Sequence, residues 1–318
     1  MPPPPKVATS FQEVLEQVWW RLDVALDLEM IKWSAMLGAL EALESGTTAI
    51  VDHHESPNAI EGSLDVIAEA CAEVGVRVLC AYGITDRHGP EGSRRGLEEN
   101  ERFIKGGGRG YVGLHAAFTC TDDSLRSAAG LASDLNTGVH IHVAEGIGDV
   151  EAPSRLDGLT QDDWLLAHSV HLASDHTLKG TILHNPRSNL NNGVGYANPV
   201  RFSNPVALGT DGIGANMIES FRLAYVMERS LDVSCGPDDA WAWLETGWEI
   251  MPEARNDQVT WSYDPMDPWH LAFTPGVRPL EVRIADEVVF RDNRPTKVDG
   301  NEVRAKAAEQ ARRLHALL

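Results

Sequence analysis

The sequence predicts an α/β fold of the (β/α)8 TIM-barrel type, followed by a partial C-terminal β segment and a terminal helix. Short β-rich runs alternate with helical stretches at intervals of mostly about 15 to 35 residues, which suits βα units with parallel strands. Polar, chemically reactive residues follow most of these runs, as they do at the carboxyl face of such barrels. No glycine-rich turn follows the first run, which argues against a dinucleotide-binding sheet.

The chain is predicted to be helical from Ser10 to about Gly46, because apolar residues recur there at three- and four-residue spacing. Ser10 and Glu13 match the two polar positions of a capping box. A second helix over Leu28–Leu43 is expected to end at the Ser45-Gly46 pair, since glycine suits the residue after a helix.

Seven β-rich runs are predicted as barrel strands: Thr47–Val51, Val76–Tyr82, Tyr111–Leu114, Gly138–Val143, Leu165–His168, Thr181–His184 and Ala207–Gly209. Helices are predicted over Ala59–Val74, Glu91–Phe103, Asp122–Leu135, Leu159–Trp164, Met217–Arg229 and Asp238–Trp248. A closed barrel of this type has eight strands. Helices rather than a strand follow Gly212, so we expect the missing strand to be the first one, as in a truncated gene product or a chain with a start codon assigned too late.

The character of the chain changes near Asp257, where short alternating runs predict a small antiparallel β segment. Its predicted strands are Gln258–Tyr263, Leu280–Ile284 and Glu287–Phe290, with a turn at Asp292-Asn293 and a terminal helix over Asn301–Leu318. The predicted division is a barrel domain of residues 1–256 and a β segment with its helix in residues 257–318.

Composition excludes several classes of protein. The 318 residues include 47 acidic and 27 basic side chains, for a net charge of -20, so a nucleic acid would be repelled. No apolar run reaches about 18 residues and the start lacks an apolar leader, so we expect neither a membrane span nor a secretory signal. The four cysteines form no CxxC pair, which predicts reduced core thiols in a cytoplasmic protein rather than disulfides or a thiolate zinc site.

The strongest chemical signal is the segment His140-Ile141-His142-Val143-Ala144-Glu145. His140 and His142 share one face of a strand, because side chains alternate with period two, and Glu145 comes just after the strand. Histidine binds zinc, and a nearby glutamate can move protons to and from metal-bound water. The alternative is a pair of hydrogen-bonded core histidines beside a surface glutamate.

Three later strand ends carry further candidates. Asp211, flanked by glycines, suits a metal ligand or a general base, and the alternative is a helix N-cap. His168 and His184 could polarise a substrate carbonyl or orient a tetrahedral intermediate, and the alternative for each is an interior hydrogen-bonded histidine. One shared site explains polar residues at so many successive strand ends more simply than separate packing accidents do.

Several motifs together resemble the metal-dependent amidohydrolase superfamily, in its aminohydrolase and chlorohydrolase branch, with the SsnA-type aminohydrolases as the most similar group. The motifs are Trp19-Trp20-Arg21-Leu22-Asp23, Ser45-Gly46-Thr47-Thr48, Asp52-His53-His54, His142-Val143-Ala144-Glu145, Ala167-His168, His184-Asn185-Pro186-Arg187-Ser188-Asn189 and Gly209-Thr210-Asp211-Gly212. The resemblance covers about Pro5 to Arg229 and returns weakly in the C-terminal tail.

The resemblance implies a role for each matching residue. His142 and Asp211 are implied as metal ligands, Glu145 as the group that moves protons between water and substrate, and His168 as the group that holds the attacked centre or the water. Asp211 also acts as a base, so Glu145, His168 and Asp211 form the implied catalytic set. His140 is implied to be a neighbour of the site, since the family takes one histidine from this strand.

The resemblance also implies the reaction and its partners. The implied substrate-binding residues are His115, His184, Ser188 and Asn189. The implied reaction is metal-dependent hydrolysis of a non-peptide C–N bond, in the form of deamination of a small heterocyclic or amidine-like substrate. The implied cofactor is a divalent ion, with Zn²⁺ favoured over Fe²⁺. A homodimer is expected, and no nucleic acid or membrane partner.

The sequence departs from the family at its start, because family members carry a His-x-His pair on the first barrel strand and none is present here. Two implied ligands remain, whereas a catalytic zinc site has three protein ligands and a water. His53 or His54 could substitute, but adjacent strand residues face opposite sides, so at most one points inward. The alternatives to an active enzyme are an inactive relic that binds a small molecule or partner, and a gene fragment.

Overall fold

The computed structural model describes residues 6–318 of the chain. Its strands are β1 Ala49–Val51, β2 Arg77–Leu79, β3 Val112–Ala116, β4 Val139–Val143, β5 Leu165–His168, β6 Thr181–His184, β7 Val206–Leu208, β8 Gln258–Trp261, β9 Pro279–Ile284, β10 Glu287–Arg291 and β11 Arg294–Pro295. Its helices are α1 Phe11–Val14, α2 Trp20–Ala25, α3 Leu28–Glu44, α4 Ser63–Val74, α5 Gly89–Lys105, α6 Asp122–Leu135, α7 Ala152–Leu156, α8 Pro186–Asn191, α9 Met217–Leu231, α10 Pro237–Glu245, α11 Gly247–Ile250, α12 Pro268–Phe273 and α13 Gly300–His315.

The strands β1 to β7 are parallel neighbours in chain order, as the barrel prediction requires. β3 to β7 form one five-stranded ladder, and β1 pairs with β2 in a separate sheet. Isolated parallel bridges join the two sheets, from Cys80 to Gly110 and from Ile84 to Leu114. Within residues 6–318, no strand pairing joins β7 back to β1. That the barrel lacks its first strand stays a prediction.

All seven predicted barrel strands are present, but the predicted helix over Leu159–Trp164 is wrong. The helix in this region is α7, which ends at Leu156, and turns follow it. Gly158 has a φ of 74°, which takes the chain out of the helical region. Trp164 is buried in the core, and Leu159 packs against the same core from a turn. The apolar spacing that predicted a helix therefore reflects side chains that reach the core from turns.

The N-terminal helix begins as predicted and then departs from the prediction. The Ser10 hydroxyl accepts a hydrogen bond from the Glu13 backbone N–H at 3.2 Å. The Glu13 carboxylate accepts from the Thr9 backbone N–H at 2.7 Å rather than from Ser10, so the second half of the capping box is displaced by one residue. A π-helical turn over Leu15–Trp19 separates α1 from α2.

The predicted C-terminal β segment is present as an antiparallel sheet in the order β11-β10-β9-β8. Val282 and Phe290 of this sheet share one core cluster with Leu40 of α3 and Val303 of α13. The segment therefore packs against the β1–β2 side of the barrel through α3. The division of the chain into domains at residue 256 stays a prediction.

Candidate metal centre and active site

Three side chains of the predicted catalytic set converge at the carboxyl ends of the ladder strands. Glu145, His168 and Asp211 each offer a ligand atom within 4.8 Å of the others. The His168 Nε2 and the Glu145 Oε2 lie 3.6 Å apart. The backbone is left-handed at His168 and Asp211, with φ of 70° and 52°, and at Ala144, which precedes Glu145, with φ of 47°. Such strained conformations in non-glycine residues are typical of functional sites.

His142 projects from β4 and packs beside this group. Its ring stacks on that of His168 with centroids 5.2 Å apart. The His142 Nδ1 lies 2.5 Å from the backbone carbonyl oxygen of His115. Because a carbonyl oxygen only accepts, Nδ1 carries the proton and Nε2 of the neutral ring keeps its lone pair. This backbone contact is the kind that fixes the tautomer of a metal-binding histidine.

His168 and Asp211 adjust each other's protonation. Burial alone would lower the pKa of His168, but the carboxylates of Glu145 and Asp211 and the hydrogen bond to Asn189 raise it. Burial would raise the pKa of Asp211, but His168, the Ser188 hydroxyl and His142 lower it overall. The site therefore favours an ionised Asp211 beside a histidine that readily holds a proton.

Ser188 and Asn189, predicted to bind substrate, lie behind the wall of the cavity. Asn189 Oδ1 is 2.8 Å from His168 Nδ1, and the Ser188 hydroxyl donates to the Asp211 carboxylate. Both side chains are buried in the first turns of α8. The structure thus brings them together with the predicted catalytic set as hydrogen-bond partners of His168 and Asp211.

The other two predicted substrate-binding histidines differ in position. His115 lines the cavity, and its Nδ1 is 2.7 Å from the Thr119 hydroxyl. His184 is fully buried against the Tyr196 and Trp243 rings, and neither of its ring nitrogens has a hydrogen-bond partner in residues 6–318. Burial, with the nearby charge of His168, lowers the pKa of His184 to about 3.

Of the two adjacent histidines after β1, His53 points into the barrel. Its Nε2 donates to the Leu114 carbonyl oxygen at 3.1 Å, and its ring centroid lies 4.6 Å from that of His142. His54 faces the other way, with its Nε2 2.8 Å from the Ser56 hydroxyl. The two side chains have opposite directions, as the alternation along a strand requires.

A cavity of about 1280 Å³ opens above these residues, and its lining includes Trp20, Asp23 and Glu55, which were not predicted as site residues. The Arg87 guanidinium contacts the Glu55 carboxylate and lies over the Trp20 ring at 4.3 Å. Burial and the Glu55 charge raise the pKa of Asp23 well above its usual value, against the opposing effect of Arg87. Glu55 continues the polar run after β1, which was a usable signal, whereas nothing in the sequence pattern singles out Arg87.

The donor set suits a divalent metal ion. Two imidazoles and two carboxylates are the ligand types that zinc and iron accept. The fixed tautomer of His142 leaves a nitrogen lone pair available, and Asp211 is held ionised. The residues present therefore fit a divalent ion at the end of the ladder.

Comparison with known proteins identifies the family. The Amidohydrolase family model matches residues 8–246. The chain belongs to the amidohydrolase family. The predicted superfamily resemblance and the α/β barrel fold are thereby confirmed.

Two curated relatives are similar in sequence. A 5'-deoxyadenosine deaminase of Methanopyrus kandleri is 32% identical over 246 residues, which are 68% of this chain and 55% of that protein. A 5-methylthioadenosine/S-adenosylhomocysteine deaminase of Syntrophomonas wolfei is 29% identical, with coverage of 95% of this chain and 80% of that protein. The chain thus spans only about half of the length of the Methanopyrus relative (55%).

Solved amidohydrolase-type structures share the fold. A zinc-bound adenosine deaminase from Xanthomonas campestris superposes with a TM-score of 0.76 at 17% identity, covering 98% of this chain and 81% of that one. The zinc complex of atrazine chlorohydrolase from Arthrobacter aurescens gives a TM-score of 0.74 at 18% identity, covering 95% and 82%. At these identities the likeness concerns the fold alone.

Two predicted exclusions can be compared with the structure. Among residues 6–318, no helix is both long enough and apolar enough to cross a membrane. All four cysteines are buried free thiols. Burial raises the pKa of Cys71 and of Cys120 to about 12 in each case, so both stay protonated at neutral pH.

Proposed function

We propose that this protein is a metal-dependent hydrolase of non-peptide C–N bonds that deaminates a small adenosine-type or related heterocyclic substrate. The observation that carries the proposal is the convergence of Glu145, His168 and Asp211 within 4.8 Å of one another, beside His142 with its fixed tautomer. The names of the sequence relatives, which are deaminases of adenosine derivatives, support the substrate class.

The metal ligands in this proposal are His142 and Asp211, and zinc is favoured over iron. When bound, a zinc ion supplies a Lewis acid that lowers the pKa of water toward neutrality. Asp211 suits the role because its carboxylate stays ionised inside the protein. His142 suits it because its Nε2 lone pair is free.

The remaining residues carry the proton transfers and the charge. Glu145 takes a proton from the attacking water and delivers it to the departing amino nitrogen, so that water adds to the ring carbon and ammonia leaves. His168, 3.6 Å from Glu145, donates to the oxygen that becomes negative during the attack. His115 lies in the cavity wall, where it contacts the bound heterocycle.

The deciding experiment measures retained metal and released ammonia. Purified protein is incubated with Zn²⁺, dialysed, and analysed for metal per chain, in the wild type and in Asp211→Ala. We expect about one ion per chain in the wild type and loss of the ion in the variant. An Asp162→Ala variant, altered at an exposed aspartate, is the matched control and should keep the ion.

The same preparations are then assayed for ammonia release from adenosine, 5'-deoxyadenosine, 5-methylthioadenosine and aminotriazines. A zinc-retaining wild type that releases ammonia from one of these supports the proposal. A wild type that retains no metal overturns it. That result would instead favour the alternative of a non-catalytic binding protein.

Three coarser predictions also stay proposals. We propose a cytoplasmic homodimer that does not bind nucleic acid, and the net charge of -20 supports the last point. Light scattering at micromolar concentration measures the mass of the assembly. A polynucleotide titration at low salt tests the repulsion, because electrostatic binding would be strongest there.

A further inference from the structure

His53 and His140 have no part in the proposed mechanism, and both belong to one connected group of imidazoles. The His53 ring centroid lies 4.9 Å from that of His140 and 4.6 Å from that of His142. The His142 ring in turn stacks on His168 at 5.2 Å. The imidazoles therefore continue without a break from the predicted catalytic set toward the β1 side of the barrel.

His140 is a buried polar group without a partner. It is 5% exposed, and in the described part of the chain its Nδ1 is fully buried with no hydrogen bond. A buried donor or acceptor left unpaired is unfavourable and calls for an explanation, such as an ion that the structure does not contain.

His53 has a free nitrogen on the cavity side of the barrel. Its Nε2 donates to the Leu114 carbonyl oxygen, so Nδ1 of the neutral ring carries the lone pair. Both His53 and His140 line the cavity. With metal–nitrogen distances of about 2.0–2.1 Å, two imidazoles on one tetrahedral ion have centroids roughly 5 Å apart.

We propose that His53 and His140 are additional ligands of the ion held by His142, so that imidazoles from the β1 end and from β4 complete the metal site. The inference rests on the proposed function, which supplies the ion. Within residues 6–318, Glu145, His168 and Asp211 are the one group of three metal-binding residue types whose ligand atoms already lie within 4.8 Å of one another. The His140 and His142 centroids are 6.5 Å apart, so binding draws these rings together.

Two neighbouring imidazoles, His54 and His115, have side-chain partners of their own. His54 points away from the cluster and bonds to Ser56. His115 has its Nδ1 engaged by the Thr119 hydroxyl. Three neutral imidazoles with one carboxylate form a donor set that prefers zinc, iron or cobalt over magnesium or calcium.

The test is a Co²⁺ titration of the metal-free full chain, followed by visible absorption. Wild type, His53→Gln, His140→Gln and Asp211→Ala are compared, with His54→Gln as the matched control from the adjacent position. We expect the first two variants to bind Co²⁺ at least tenfold more weakly and with altered absorption, and the control to bind as the wild type does. Circular dichroism melting checks that each variant is folded.

The outcomes separate this inference from the proposed function. If His53→Gln and His140→Gln bind Co²⁺ as the wild type does while Asp211→Ala does not, the inference is overturned and the metal hydrolase proposal stands. If the wild type binds no Co²⁺, the proposed function itself fails, and the inference fails with it.

A second measurement needs no variant and covers the case in which a substitution prevents folding. X-ray absorption of the zinc-loaded wild type counts imidazoles through their outer-shell scattering. Three imidazoles per zinc, from His53, His140 and His142, support the inference. A count of one overturns it, because His142 alone would then supply the nitrogen.

Discussion

The two sides of the barrel differ in how several polar side chains that line the cavity are held. On the β3–β7 side, His142 is held by a backbone carbonyl, His168 by Asn189 and Asp211 by Ser188. On the β1–β2 side, one carboxylate oxygen of Asp52 and one of Glu55 are buried without a hydrogen bond in the described part of the chain. On the β3–β7 side, which we call the ladder side, the predicted catalytic side chains are therefore held by hydrogen bonds, although ring nitrogens of His140 and His184 have no partner in residues 6–318. On the β1–β2 side the unpaired atoms belong to the acidic groups themselves.

The two sides also differ in what stabilises them. Backbone ladders run without interruption from β3 to β7. β1 and β2 form a two-stranded sheet, and their outer surface is packed by α3 and α4 against the C-terminal sheet. A two-stranded sheet is marginal by itself, so tertiary contacts from outside the barrel must supply the stability of this side.

The sharpest test of the ladder side as the catalytic side is Glu145→Gln. An amide cannot carry the proton, so we expect kcat to fall by about 10²–10⁴. Metal content should stay unchanged, because Glu145 is outside the proposed ligand set. Glu151→Gln, at an exposed glutamate six residues away, should leave kcat within about twofold. Full activity of Glu145→Gln would contradict the proposal that the ladder side carries out the chemistry.

The stability of the β1–β2 side can be tested at Arg77. Its guanidinium makes two hydrogen bonds, 2.9 and 3.0 Å long, to Asp257, whose side chain is 2% exposed. Removing one partner of a buried pair costs about 3–5 kcal/mol, and the partly exposed Arg77 places Arg77→Ala near the lower value. Urea unfolding measures the loss.

The control for this experiment is Arg126→Ala, in an ion pair whose side chains are 60% and 92% exposed. Such exposed pairs contribute about 0–1 kcal/mol to the free energy of unfolding. If Arg77→Ala costs no more than this control, the link between β2 and the C-terminal sheet does not hold the β1–β2 side in place.

The sequence allowed the strand order and the strand-end residues to be predicted, because both depend on local periodicity. Burial makes β5 an apolar run up to His168, while β4 alternates apolar residues with His140 and His142. Glu145 and Asp211 lie shortly after the ends of β4 and β7. Periodicity failed at Leu159–Trp164, where side chains reach the core from turns.

The direction of each polar side chain could not be predicted in the same way. Ser188, Asn189 and His184 share one motif, yet two of them support the catalytic set and the third lies between aromatic rings. Their directions depend on how α8 meets β6 and β7, which is a tertiary property. His53 and His54 could be assigned opposite faces from sequence, but which of them faces inward depended on the contact with Leu114.

The preorganisation of His168 can be reduced by Asn189→Ala. We expect a loss of about 10–100-fold in kcat/KM, the range found when outer partners of functional histidines are removed. The hydrogen bond to Asn189 raises the pKa of His168, so the limb of the pH profile that belongs to His168 should move to lower pH. Asn191→Ala, at an exposed position of α8, is the control, and an unmoved profile in Asn189→Ala would contradict the orienting role.

The smallest expected effect concerns Ser188→Ala and is confined to acidic solution. The Ser188 hydroxyl helps to lower the pKa of Asp211, because its hydrogen bond favours the charged carboxylate, so its removal raises that pKa. A proton then competes with the metal for Asp211 at higher pH, and the acid limb of Zn²⁺ binding moves upward. Near pH 8 Asp211 is ionised with or without Ser188, so affinities there should match those of the wild type and of the exposed control Ser154→Ala. A loss of Zn²⁺ affinity that is equal at every pH would instead mean that Ser188 acts on the packing of α8 and not on the charge of Asp211. The hydrogen bonds of the ladder side would then matter less for metal binding than the comparison with the β1–β2 side implies.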